Sequence, residues 1–186
     1  MTYEVHNLEG RPHYVVPVVM LRVGTFAGSQ GPIHYPAAPL RRSVPAWNGR
    51  PVIVYHPLLL GTPATALHPD VFSRQKVGVL FNAALDGDRL TARAWIDAGR
   101  VGLVDPRVLD AIVQGRPLDV STGLLVEDDG ETVVDGYGRA ARVAARLFPD
   151  HLAVLPDGPG ACSVEAGCGL LVAPAGGYGG VPAGAW

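Results

Sequence analysis

The sequence predicts a mainly-β or α+β domain in which a few helices flank the strands. Its apolar runs are short, rich in valine and isoleucine, and separated by turn residues. The 186 residues include 24 glycines and 17 prolines, which leaves little room for long helices. This length suits one domain with a real core. We therefore expect residues 1–160 to form that domain and residues 161–186 to form a Gly/Pro-rich C-terminal tail or linker.

The N-terminal third of the chain predicts two strands separated by irregular segments. Residues 13–26 (HYVVPVVMLRVGTF) are rich in β-branched residues, and Pro17 favours an edge strand or a bent strand there. Residues 27–46 are rich in Gly, Pro, Ser and His, which predicts a loop. Residues 50–57 (RPVIVYHP) predict a buried strand that stops at its His-Pro pair, because a residue before proline avoids the helical region. Residues 58–70 predict another irregular excursion.

Local signals are clearest in the middle of the chain. Residues 76–97 place two apolar-rich segments on either side of an Asp-Gly-Asp turn, which predicts a hairpin, and the second segment alternates apolar and polar side chains as a half-buried strand does. Residues 106–114 predict the best helix. Asp105 can accept backbone N–H bonds as its N-cap, proline suits its first position, and Gly115 suits a left-handed stop.

The C-terminal part predicts further strands. Residues 117–127 (PLDVSTGLLVE) predict a strand, with residues 131–135 as its hairpin partner across an Asp-Asp-Gly turn. Residues 139–148 allow either a helix or a strand. Residues 151–156 (HLAVLP) predict a final strand, and residues 175–186 predict a mobile segment because they can bury little.

Composition excludes several classes of function. The formal net charge is −2 and the pI is near 6.3, so no nucleic-acid partner is expected. No signal peptide or long apolar run is present, so we expect an intracellular protein without a membrane partner. The spacing of Cys162 and Cys168 does not match a zinc signature, and we expect two reduced thiols. We expect no metal and no organic cofactor.

Ser121, His56 and His151 each lie at the end of a short apolar run. A serine beside a histidine that is oriented by a third polar group is the machinery of nucleophilic acyl transfer. Taken singly, the serine also fits a strand residue bonded to backbone, and each histidine fits a half-buried ring bonded to a carbonyl. The three residues are far apart in the sequence, so only the fold can bring them together.

The roles within such a site follow from elementary chemistry. His56 would accept the proton of the serine hydroxyl, and His151 or Asp150 would orient the His56 ring. The backbone N–H groups of Thr122 and Gly123 are candidates for the oxyanion hole, because a glycine just past the nucleophile permits a close approach.

Five segments of the chain carry a resemblance to a known family, in the order and at the spacing found there. Together they lie between residues 15 and 169. They are VPVVMLRVGTFAG (16–28), PAWNGRPVIVYHP (45–57), VGVLFNAALDGDRLTARAWID (77–97), LDVSTGLLVE (118–127) and PDHLAVLPDGPGACSVEAGCG (149–169). On these segments the chain resembles the prohead-protease-like family of tailed phages, which is related in fold to the herpesvirus maturation protease, assemblin.

The resemblance implies a β-barrel with flanking helices and a Ser-His-His triad of Ser121, His56 and His151. It implies a serine endopeptidase that processes capsid and scaffold proteins in the assembling procapsid, within the host cytoplasm, and that cleaves parts of itself. It also makes a homo-oligomer a reasonable expectation. Assemblin has paired arginines shortly after its last histidine. The segment HLAVLPDGPGACS has none, which is why backbone donors are the expected oxyanion hole here.

Two alternatives stay open at this point. One is a catalytically silent structural or scaffold-associated capsid assembly protein that has the same fold. The other is an esterase that uses the same site on small substrates. An extended groove beside a strand edge would favour a peptide substrate, and a narrow closed pocket would favour an ester.

Overall fold

The computed structural model describes residues 3–134, 136 and 138–171, and its main feature is a mixed sheet of ten strands. In chain order the elements are β1 (Glu4–Leu8), β2 (Arg11–Arg22), β3 (Gly24–Gly28), β4 (Gly31–Tyr35), α1 (Ala37–Trp47), β5 (Pro51–Val54), β6 (Leu58–Leu59), β7 (Thr62–Pro63), α2 (Pro69–Gln75), β8 (Lys76–Asp86), β9 (Arg89–Asp97), α3 (Val101–Val104), α4 (Pro106–Gln114), β10 (Asp119–Val134), β11 (Ala140–Leu155) and β12 (Gly169–Leu170). Strands predominate, as the sequence predicts.

The sheet is open. Its strands follow the order β1-β2-β9-β8-β5-β11-β4-β3, while β10 pairs with β11 and β12 pairs with β2. Strand β10 pairs antiparallel with β11 along most of its length, and β5 and β4 share the other edge of β11, both in parallel. Because β1 and β3 end the path without pairing to each other, the predicted barrel is wrong.

The core lies where the middle strands meet helices α1 and α4. Alternate residues of β9 (Leu90, Ala92, Ala94 and Ile96) are all buried, as their alternation predicts. Helix α4 forms with the predicted boundaries. Asp105 accepts a hydrogen bond from Arg107 N, and Gly115 ends the helix with φ 66°. The hairpin predicted over residues 76–97 is β8–β9.

Strand β2 is an interior strand, so of the two alternatives at Pro17, an edge strand or a bent strand, the edge strand is wrong. Pairing between β1 and β2 stops at Val15. The carbonyl of Pro17 faces away from β9 and accepts a hydrogen bond from Leu171 N. In an antiparallel strand the N–H and the C=O of one residue point to the same side. Proline therefore lacks its N–H on the side away from β9, where no strand needs a hydrogen-bond donor.

The loop predicted over residues 27–46 is also wrong, because most of that segment forms β4 and α1. Prolines made the segment resemble a loop. Pro39 occupies the first turn of α1, where its missing N–H costs nothing. The helix is stabilised by one buried face, on which Leu40, Ser43 and Trp47 recur at helical spacing. Residues 58–70 are largely irregular as predicted, with the short β6–β7 ribbon inside them.

The sequence predicts that residues 131–135 pair back on residues 117–127 as a short hairpin. Residues 131–134, the part that the structure describes, instead continue β10, which pairs with β11, so that prediction is wrong there. The segment 139–148, for which helix and strand were both open, is strand from Ala140. Ala141 and Ala144 are buried in this strand. Pairing to β10 and to β4 therefore decides the outcome over helix propensity.

Residues 161–171, the described part of the predicted tail, pack on the core. Strand β12 pairs with β2, and Leu170 is fully buried. Cys162 and Cys168 form a disulfide, so the expectation of reduced thiols is wrong. Both cysteines are buried in a tight loop, a position that sequence spacing does not reveal. The rest of the tail prediction, including residues 175–186, lies outside the described residues.

Candidate active site

Tyr55 turns the chain so that His56 leaves the sheet. Strand β5 ends at Val54, and Tyr55 then adopts φ 62°, a left-handed conformation that is costly for a bulky residue. Its N–H donates to Val154 O at 3.0 Å. Its hydroxyl donates to Asp157 Oδ2 at 2.8 Å and accepts from Arg107 at 2.7 Å. Because Tyr55 is held at both ends, the surrounding structure sustains the strained turn that presents His56.

The strand register places Ser121 and His151 on the same face of the sheet. Ser121 pairs with Ala153, and Gly123 pairs with His151. Residues directly opposite each other in a ladder point to the same side, and so do residues two apart in a strand. Strand β5 pairs in parallel with β11 at Ile53 and Ala153, so β5 delivers His56 beside this same face.

A β-bulge explains how two adjacent residues, Asp150 and His151, serve one site. Gly123 pairs with His151 and Leu124 pairs with Pro149, so Asp150 is the extra residue on β11. A bulge lets neighbouring side chains escape strict alternation. The Asp150 carboxylate consequently reaches the imidazole of the next residue, with Oδ2 2.7 Å from His151 Nδ1.

Gly123 provides the space in which the His151 ring lies. A Cβ atom at this position would be 2.0 Å from His151 Cε1 and 2.2 Å from Nε2, distances that real atoms do not tolerate. The requirement is steric and does not come from an unusual backbone conformation. From the sequence, this glycine is a candidate for the oxyanion hole. The space it leaves for the His151 ring is a second reason for a glycine at this position, and only the fold reveals it.

A chain of hydrogen bonds runs from Asp150 to His56. His56 Nδ1 is 2.8 Å from His151 Nε2, and His151 Nδ1 contacts Asp150 as described. Asp150 also accepts hydrogen bonds from the Thr65 hydroxyl and from Ala66 N, the latter at 2.8 Å. Asp150 was the alternative to His151 as the group that orients His56. The structure places it one step further back, where it orients His151.

Ser121 lies in the same cleft as both histidines. The cleft measures about 470 Å³ and its lining includes Ser121, Thr122, Gly123, His56 and His151. Within the described part of the chain, no hydrogen bond joins the Ser121 hydroxyl to another group. The fold therefore brings the predicted serine and histidines to one cleft, and it makes the contact between the histidines but not the contact to serine.

The electrostatics of the site keep both imidazoles neutral at pH 7. Burial would raise the pKa of Asp150, but hydrogen bonds from Thr65, Ala66 and His151 outweigh it and hold that pKa below its ordinary value. Desolvation and, second, the charge that a protonated His151 would carry lower the pKa of His56 to about 4. His56 keeps an exposed edge, where water reduces the size of this shift but not its direction. Burial lowers the pKa of His151, against the opposing effect of Asp150.

These hydrogen bonds select the tautomer of each ring. A carboxylate only accepts, so His151 donates Nδ1–H to Asp150 and keeps a lone pair on Nε2. His56 must then donate Nδ1–H to that lone pair. In a neutral imidazole the other nitrogen is an acceptor, so His56 Nε2 is left able to accept a proton. This is the state that a general base requires.

The remaining walls of the cleft are mostly apolar, and a loop after β11 closes one side. Apart from the catalytic candidates, the cleft is lined mainly by Leu21, Phe26, Ile33, Tyr35, Leu124 and Val126. Ala161 contributes from the loop. Asp119 holds this loop by accepting hydrogen bonds from Gly160 N at 3.1 Å and Val164 N at 3.0 Å.

Sequence reasoning missed Thr65, Tyr55 and Arg107 as supports of the site. Thr65 lies in a segment that predicts only a loop, so no pattern marks it. Among the described residues, no cluster of three or more metal-binding side chains occurs. None of the helices in residues 3–134, 136 and 138–171 has the length and apolar character needed to cross a membrane.

Comparisons with known proteins show a structural neighbour of this chain. No protein-family model matches the chain, and no curated protein matches it. A solved structure that does match is the capsid assembly protease gp21 of bacteriophage T4, with a TM-score of 0.51 and 17% sequence identity. The match covers 84% of this chain and 92% of gp21. At this identity the similarity establishes a shared fold.

Proposed function

We propose that this protein is a serine endopeptidase that processes capsid or scaffold proteins, its own chain included, inside the assembling phage procapsid in the host cytoplasm. One observation carries the proposal. A continuous line of hydrogen bonds from Asp150 through His151 prepares His56 as a base in the cleft that also holds Ser121. The fold shared with the T4 capsid assembly protease supports the substrate class.

The proposed mechanism uses these groups in sequence. Ser121 Oγ attacks the scissile carbonyl while His56 Nε2 takes its proton, and the carbonyl oxygen becomes an oxyanion. His151 supports the positive charge on His56, and Asp150 supports His151. The tetrahedral intermediate collapses as His56 gives the proton to the leaving amine, which leaves an acyl-enzyme. A water then attacks with His56 as base and releases the acid and Ser121.

Strand geometry favours Thr122 N–H as the oxyanion donor. Leu118 N donates to Leu170 O, on the edge of the chain opposite β11. In an extended strand, residues an even number apart direct their N–H groups to the same edge, so Thr122 N–H points away from β11 as well. Gly123 N–H faces β11 by the same alternation. We assign the oxyanion contact to Thr122, and we assign to Gly123 the space for His151.

The cleft supports a peptide substrate more strongly than a small ester. Strand β10 pairs only with β11 over the described strands, so from Thr122 onward its other edge has no strand partner. An extended peptide can bind such an edge while apolar side chains enter the cleft. The esterase alternative has no comparable observation in its favour.

A catalytically silent capsid assembly protein with this fold is the second candidate. The missing hydrogen bond between Ser121 and His56 favours it. However, catalytic hydrogen bonds in proteases without substrate are often long and tighten only in the complex. Self-association into a homo-oligomer is also part of the proposal, and it is supported by the family resemblance alone.

Co-expression with the capsid or scaffold protein encoded beside this one tests the proposal. We compare the wild type with Ser121→Ala and with a control, Ser43→Ala, which removes a serine hydroxyl from α1 remote from the cleft. Intact-mass spectrometry should show truncated partner or truncated protease with the wild type and the control only. If the folded wild type leaves its partner intact, the silent assembly protein is favoured. If Ser121→Ala also cuts, Ser121 is not the nucleophile.

A further inference from the structure

A second cleft of about 450 Å³ is built from elements that do not contribute Ser121 or the histidines of the first. It lies between the β1–β2 turn, the last residues of α2, the start of β8 and the end of β9. Its lining includes Glu9, Arg11, Phe72, Lys76, Asp97 and Arg100. Nothing in the proposed reaction uses these residues.

Two cations in this cleft have no carboxylate partner among the described residues. Lys76, the only lysine in the sequence, places Nζ 4.1 Å from the centre of the Phe72 ring and forms no ion pair there. Arg100 donates to the backbone carbonyls of Lys76 and Ser73. The third cation, Arg11, pairs with Asp97 at 3.0 Å. Burial and the charges of Arg11 and Arg100 lower the pKa of Lys76, while nearby acids oppose this.

Two polar atoms next to the cleft have no protein partner among the described residues. His13 lines the cleft and donates Nδ1–H to Arg11 O at 2.9 Å, which leaves Nε2 as an acceptor. Trp95 does not line the cleft, but its ring lies 6.4 Å from His13 and 5.9 Å from Phe81, and its Nε1–H is buried without a partner in the described chain. An unpaired buried donor of this kind is costly unless a ligand or water satisfies it.

The charges of the cleft suit a single negative group. Three cations face two carboxylates, Glu9 and Asp97, so one positive charge is in excess. A carboxylate balances one charge, whereas a phosphate carries more. Apolar surface from Phe72, Phe81 and Val79 lies next to the charged groups and suits an adjoining side chain.

We propose that this second cleft binds an acidic peptide segment, with a Glu or Asp carboxylate near Lys76 and Arg100 and a neighbouring apolar side chain against Phe72 and Phe81. His13 Nε2 can accept a backbone N–H of that peptide. Residues 57–75 contribute to both clefts, so a bound substrate could be held at a point away from its scissile bond. The binding itself does not depend on the proposed protease activity.

NMR of the ¹⁵N-labelled full chain tests this binding. The probe is the capped dipeptide N-acetyl-Leu-Glu-amide, compared with its neutral isostere N-acetyl-Leu-Gln-amide and with inorganic phosphate. The Glu probe should shift the indole resonance of Trp95, which Trp95→Phe assigns, and should bind at least tenfold more tightly than the Gln probe. Lys76→Met should weaken it at least fivefold, and the exposed control Arg41→Gln should not.

Lysine labelling gives a readout on the unmutated protein. An amine-reactive acetylating reagent has one side-chain target, Lys76, which intact-mass and peptide-mass spectrometry can follow. The Glu probe should slow this modification and the Gln probe should not. Equal binding of the two dipeptides, or no protection of Lys76, overturns the proposal. Tighter binding by phosphate at the same residues overturns the peptide assignment in favour of a small-anion site.

Discussion

The two halves of the β10–β11 hairpin differ in what surrounds them. In the half that carries Ser121 and His151, β5 pairs along the other edge of β11, and Leu152, Ala153 and Val154 are buried. In the distal half, Leu125 and Phe148 are 65% and 45% exposed, and register shifts interrupt the pairing after Glu127.

The difference indicates that the hairpin does not position the candidate catalytic residues by itself. Neighbours do so: β5 on one edge, and the segment with Thr65 and Ala66 over the face that bears Asp150. Rigid positioning is what a catalytic constellation needs, because small displacements are costly in rate. Equivalent changes in the two halves should therefore have very unequal effects.

The largest expected effect is that of Gly123→Ala. The added methyl group would overlap the His151 ring, so the ring must leave its position between Asp150 and His56. We expect the proteolytic rate to fall by about 10³-fold or more, as when a triad loses its aligned base. The measurement is the rate of partner cleavage, with circular dichroism as the check on folding.

The matched control in the distal half is Val134→Ala, which shortens an exposed side chain on the same strand that does not line the cleft. It should leave the cleavage rate within about twofold of wild type. A Gly123→Ala protein that is folded and fully active would show that the His151 ring position is not required.

A smaller effect is expected from Asp150→Asn. The carboxylate accepts from three donors, whereas an amide offers one acceptor oxygen and a donor group. His151 then loses its selected tautomer, and His56 loses support for its positive charge. Because Asp150 acts through a second imidazole, we expect kcat to fall by about 10²-fold, less than the loss known for a carboxylate that contacts the base directly.

The control for this charge change is Asp128→Asn, on the same hairpin and paired with Arg142. It should not alter kcat or KM. For Asp150→Asn the change should appear in kcat, with KM nearly unchanged. Titrating the active sites gives the concentration of folded enzyme, so a kcat calculated on that concentration does not fall merely because some of the protein is unfolded. A normal kcat would contradict the role of Asp150 behind His151.

The smallest expected effect is that of lowering the pH, because activity should be retained in mild acid. Since the pKa of His56 lies below the ordinary 6.5, the ring stays neutral, and able to accept the serine proton, at pH values where a free histidine is charged. Activity should therefore change by less than about twofold between pH 8 and pH 6 and should fall only as pH drops through the lowered pKa. A pH profile of kcat/KM with its acidic midpoint at 6.5 or above would contradict this.

Sequence reasoning succeeded where the signals are local. Asp105 and Gly115 mark the ends of α4, and the Asp-Gly-Asp turn marks the β8–β9 hairpin, because caps and turns depend on a few adjacent residues. It failed at α1, whose prolines suggest a loop while burial of Leu40 and Trp47 supports a helix. Burial against distant strands cannot be read from neighbours in the sequence.

The candidate site divides in the same way. Ser121, His56 and His151 could be proposed from their positions and from the family resemblance. The place of Asp150 depends on a bulge, and that of Thr65 depends on a loop folding over β11, so both required the three-dimensional pairing. The steric need for Gly123 also appears only when the opposite strand is in register.

The parallel pairing of β5 with β11 also bears on when the site can exist during synthesis. It joins residues 52–54 to residues 152–154, and the two histidine rings in contact are 95 positions apart in the chain. Contacts this distant form late in folding, because a long loop must close first. A nascent chain on the ribosome thus has its first histidine long before its second, and the contact between the two rings cannot form until β11 has been synthesised.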